Sequence, residues 1–104
     1  MSVEVLKKEF IPKYLVEGED RFYRSLLILS LNKLVLLNKG SYKGSLPNVE
    51  LLDWHDQSII LYRREGEEVY LQIAKIFRRA GHRIYRIMLK KNMCEYNNKF
   101  LNSV

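Results

Sequence analysis

The sequence predicts a two-layer α+β sandwich, and three observations carry that expectation. A leucine-rich stretch over residues 21–38 repeats its apolar positions at helical steps; two short apolar runs, 49–54 and 59–63, flank a polar tetrapeptide; and residues 82–91 alternate like a strand after a second helical pattern. With a first strand at the start of the chain, the order becomes β-α-β-β-α-β, that of a split βαβ fold, its sheet small and antiparallel or mixed. At 104 residues the chain is expected to hold one domain over residues 1–92 and a tail, frayed or docked as a short helix, over 93–104.

Residues 2–6 alternate weakly between apolar and polar, and Pro12 removes a backbone donor, which restricts residues 10–16 to an edge strand or a loop. Asp20 can cap the first helix, and Lys39 with Gly40 supplies its stop. A rival reading splits the same stretch into two strands, 26–31 and 34–37, but leucine with few β-branched residues favours helix. Residues 40–47 form a loop by composition, and residues 55–58 read as the turn of a hairpin.

From Glu67 the period changes. Val69, Ile73, Ile76 and Ala80 lie along one line of a helix, two glutamates sit at its start, Arg78 and Arg79 at its end, and Gly81 is placed to close it. In the strand that follows, Tyr85, Ile87 and Leu89 are expected to face the helices. Trp54, Tyr62, Arg64, Arg86 and Lys90 are then expected to share the open face of the sheet, although a slip of one residue buries Trp54 and Tyr62 instead.

Charge is the strongest functional signal. The chain is formally +6, and residues 75–91 alone carry seven cations and no carboxylate: Lys75, Arg78, Arg79, Arg83, Arg86, Lys90 and Lys91. Such a run suits phosphate contact, in which Lys and Arg release counterions from a nucleic acid, whether DNA or RNA. Arg64, Arg78, Arg79, Arg83, Arg86 and Lys90 are the predicted contacts, and Trp54 and Tyr62 the predicted base-stacking platforms. Binding is expected to be salt-dependent and weakly sequence-specific. A plain solvated helix face accounts for part of the same charge, and a two-layer fold divides it between helix and strand.

A competing class is a non-enzymatic interaction module or homodimeric adaptor, joined through the leucine-rich helix, whose apolar residues run nearly all round. A third class is enzymatic. A hairpin followed by a helix and a strand resembles the central unit of PD-(D/E)xK nucleases, which implies a metal held by an Asp on one hairpin strand and Glu-x-Lys on the next. The comparable positions here are Asn48 or Glu50, then Leu61, Tyr62 and Arg63, so the second-strand ligands are missing. Asp53, Asp56 and Glu65 remain nearby as a rearranged set, but no enzyme activity, cofactor or metal is expected.

Known signatures add little. Residues 83–87 lack the aromatic pattern of RNA-recognition domains, residues 40–44 miss a GxxG by one position, and the same loop lacks the spacing of a nucleotide-binding P-loop. His55 stands between Asp53 and Asp56 with no nucleophile in view. Cys94 is the single cysteine and has no internal disulfide partner, which together with the absence of a leading signal pattern points to an intracellular protein. No run of residues reaches the roughly 20 needed to span a bilayer.

Overall fold

The computed structural model describes residues 3–91, and every regular element among them is helical. The expected α+β sandwich is therefore replaced by a helical bundle, with no strand among the described residues. The elements are α1 (Val3–Val5), the π-helical turn π1 (Leu6–Phe10), α2 (Ile11–Glu17), α3 (Glu19–Asn38), α4 (Pro47–Glu65) and α5 (Glu68–Lys90). The predicted tail over 93–104, with Cys94, lies outside the described residues.

The first three elements form one continuous rod where a strand and an edge segment were expected. Pro12 explains the π turn. Proline lacks an N–H and its ring crowds the carbonyl four residues back, so it normally breaks a helix. Here the turn before it is widened, with the Ile11 N–H donating to the Leu6 carbonyl, and the helix continues into α2. The rod ends at Gly18, whose φ of 84° turns the chain into α3.

The helix expected over 21–38 is present as α3, starting two residues earlier; Gly18 takes the cap position assigned to Asp20. Phe22, Leu26, Ser30, Leu34 and Leu37 form its buried line. At its end Ser41 N–H donates to the Leu36 carbonyl and Gly40 N–H to Leu37, with Gly40 at φ 73°. This is the Schellman arrangement expected of a glycine stop.

The predicted hairpin is the single helix α4. Its buried residues Leu51, Trp54, Ser58 and Leu61 are spaced three or four apart, and the four residues read as a turn lie in its middle. The Ser58 hydroxyl donates to the Trp54 carbonyl at 2.8 Å, so a polar side chain sits in the core with its hydrogen bond satisfied. Gly66, in the left-handed region at φ 74°, ends the helix with its N–H on the Tyr62 carbonyl.

The predicted strand over 82–91 is the second half of α5, which passes through Gly81 without a break. Gly81 serves a different purpose from the terminator expected. A Cβ built there would lie 3.3 Å from Leu52 Cδ2 and 3.5 Å from the Asn48 carbonyl oxygen, so glycine permits α4 and α5 to approach closely. Beyond it Ile84 and Met88 continue the buried line, while Tyr85 and Leu89, expected to face the core, are exposed.

α4 and α5 run antiparallel, joined at Gly66 and Glu67, and α3 packs along α5. Edge-to-face ring contacts lock the centre: Phe10 meets Trp54 at 4.8 Å and Phe77 at 5.3 Å between centroids, and Phe22 meets Phe77 at 5.7 Å. Two ion pairs tie the periphery. Lys7 of π1 reaches Glu65 at 2.7 Å, and Lys33 of α3 reaches Glu50 of α4 at 2.7 Å.

Candidate nucleic-acid interface

An α-helix turns about 100° per residue, and on that wheel Lys75, Arg78, Arg79, Arg83, Arg86 and Lys90 fall within an arc of about 140°. The buried residues of α5, among them Ile73, Phe77, Ala80, Ile84 and Met88, occupy the opposite side. All six cations are exposed. From Lys75 to Lys90 the row extends about 22 Å at the standard rise per residue. Replacing the expected strand by helix is what unites them: in a two-layer fold the charges would have parted, whereas one continuous helix puts them on one face.

Among the described residues, no carboxylate lies within ion-pair distance of these cations; the ion pairs that do form use Lys7, Lys33 and His55. Arg79 has a different partner, the ring of Tyr23 on α3, with its guanidinium carbon 4.2 Å from the centroid. Such a contact steadies the side chain while leaving N–H groups of the planar fork free to meet an anion. His82 and Tyr85 lie exposed on the same side, and Lys91 is the residue that caps the helix end. Neither Lys75, His82 nor Tyr85 was among the predicted contacts. The spacing of the basic residues, 75, 78/79, 82/83, 86 and 90, already carries the helical period that would have included Lys75 and His82.

Arg64 does not join this face. It lies in the last turn of α4, at the junction end of the antiparallel pair, next to Glu65, Glu67 and Glu68, while most of the α5 cations lie several turns away. Nor do the predicted stacking residues. Trp54 is 7% exposed and stacks in the core, parallel to Phe77 with centroids 6.3 Å apart, and Tyr62 is half-buried against the same core. The aromatic and cationic sheet face expected from the sequence is absent because its strands are helices.

The junction end mixes charge, with Lys7, Arg63 and Arg64 standing among Glu65, Glu67 and Glu68. Glu65 accepts from Lys7 and from the Tyr70 hydroxyl, the latter at 3.4 Å. The Lys7 hydrogen bond holds the Glu65 carboxyl below its usual range, and the same contact raises the Lys7 ammonium. Burial raises the Tyr70 phenol, with the nearby Glu65 charge acting in the same direction, and burial raises Tyr42 beside Glu50.

The positions aligned with a nuclease site also lose their geometry. Asn48, Glu50 and residues 61–63 lie on one helix, Asn48 and Leu61 are buried, and Glu50 is paired with Lys33. Among the described residues no group of three His, Cys, Asp or Glu side chains is placed to hold a metal. His55 meets Asp56 through Nδ1 at 3.0 Å, a contact between adjacent residues. No described helix is long and apolar enough to cross a membrane. No family model, curated protein or solved structure matches this chain.

Proposed function

We propose that this chain binds nucleic acid through the exposed face of α5, with Arg78, Arg79, Arg83, Arg86 and Lys90 as phosphate contacts and Lys75 extending the row. The carrying observation is six cations on one helical face with no carboxylate of the described residues paired to them. Binding is dominated by counterion release and is weakly sequence-specific. Fluorescence anisotropy across a salt series tests it. The logarithm of affinity should fall linearly with the logarithm of salt, and the Arg79→Ala, Arg83→Ala, Arg86→Ala triple variant should reduce that slope by about 2 to 3. An unchanged slope contradicts the assignment.

A second reading has its own observation. Ile28, Leu29, Val35 and Leu36 are 60%, 50%, 49% and 43% exposed, and with Asn32 they form one stripe on the outer side of α3. Association of two copies along this stripe would cover it. Sedimentation of the chain and of a Leu29→Glu, Val35→Glu variant tests it, with a dimer converted to monomer as the expected result.

A further inference from the structure

We infer that the nucleic acid taken by this face is a B-form DNA duplex, with α5 lying along the major groove; this rests on the binding role proposed for α5. Two geometric facts favour a duplex over a single strand.

The first concerns aromatic rings. Binding of unpaired strands without sequence preference combines a cationic groove with rings on which successive bases stack. Here Trp54, Phe10, Phe22 and Phe77 are committed to the core. Tyr23 is half-buried beneath Arg79, which among the described residues leaves Tyr85, 37% exposed, as the ring on the cationic face. One ring at the margin of the row gives no platform for consecutive bases. The described part of this face can grip a backbone but has little with which to hold splayed bases.

The second concerns shape. Arg78 and Arg83 mark the two edges of the arc, on either side of a helix body about 10 to 12 Å wide. The major groove of B-DNA is about 12 Å wide and admits an α-helix, so cations at both margins would reach the phosphates of both strands. The row of about 22 Å covers roughly six base pairs at about 3.4 Å each. The corresponding groove of an A-form duplex is deep and narrow and excludes a helix.

The test compares one sequence in three forms, duplex DNA, single-stranded DNA and duplex RNA, each about two turns long and dye-labelled, at one fixed salt concentration. Duplex DNA should bind at least tenfold more tightly than either alternative. Methyl green, which occupies the major groove, should displace the protein, and netropsin, which occupies the minor groove, should not. The Arg78→Ala, Arg83→Ala pair should weaken duplex binding and lower its salt slope by about 2, with helicity by circular dichroism confirming that the fold is kept. If single strands or duplex RNA bind as tightly as duplex DNA through the same arginines, or netropsin displaces the protein, the duplex-groove assignment is overturned while the binding role of α5 stands. If none of the three forms binds, both fall.

Discussion

The guanidinium of Arg79 lies over the ring of Tyr23, 4.2 Å from its centroid, and so the middle of the α5 cation row is fixed by a residue of α3. A partly exposed contact of this kind contributes about 0.5 to 1 kcal/mol. Holding Arg79 in place before binding lowers the ordering cost at the interface. Tyr23→Leu should therefore weaken nucleic-acid binding about two- to fivefold, and Tyr23→Phe, which keeps the ring, should leave it unchanged. Anisotropy titrations of the two variants decide this; equal affinities would show that the ring has no part in binding.

Trp54 provides an independent check on where bases do not stack. Saturating nucleic acid should leave the emission of this tryptophan unaltered, because the residue lies 7% exposed among Phe10 and Phe77. Trp54→Ala should cost about 3 to 5 kcal/mol in urea unfolding. Quenching by a bound strand would contradict the burial.

Gly81 sets the approach of α4 to α5. A leucine there would drive into Leu52 and the Asn48 carbonyl, and Gly81→Leu should destabilise the fold by about 1 to 3 kcal/mol. For Gly81→Ala, the methyl contact at 3.3 Å is offset by about 1 kcal/mol of helix propensity, so stability should stay within about 1 kcal/mol of the parent. Denaturant midpoints of the two variants test the crossing.

The pH dependence of stability has two limbs. Glu65 is held below its ordinary value by Lys7, so its contribution is present above about pH 4.5 and is lost as pH falls through the lowered value. Tyr70, Tyr42 and Lys7 are raised, so their contributions are full below about pH 10 and are lost as pH rises through the raised values. Glu65→Gln should flatten the acid limb, and Tyr42→Phe with Tyr70→Phe should reduce the alkaline one. Melting temperatures between pH 3 and pH 11 provide the reading.

The sequence disclosed α3 because its leucines recur at steps of three and four and a glycine stop follows. It disclosed the cations as well, though not their common face. What it concealed were residues whose local meaning is double. Residues 55–58 resemble a turn, yet Ser58 is a core residue that satisfies its hydroxyl on the Trp54 carbonyl, a bond invisible to a hydrophobic pattern. Gly81 resembles a terminator because a glycine chosen for close packing and one chosen for a left-handed turn look alike in sequence. A stop at Gly81 would cut Ile84 and Met88 from Ile73, Phe77 and Ala80, and the residues beyond it then show a false alternation. Arg64 resembles the α5 cations in charge alone, for it stands among the glutamates of the junction.

Those glutamates have a consequence for motion in solution. With Glu65, Glu67 and Glu68 offset there by Arg63, Arg64 and Lys7, the junction end is close to neutral and the excess positive charge lies along the exposed face of α5. A polyanion then exerts a torque as well as a pull, turning the cationic face of α5 forward before touch. Retention on a sulfonate column should accordingly exceed that of a +6 protein with evenly scattered charge.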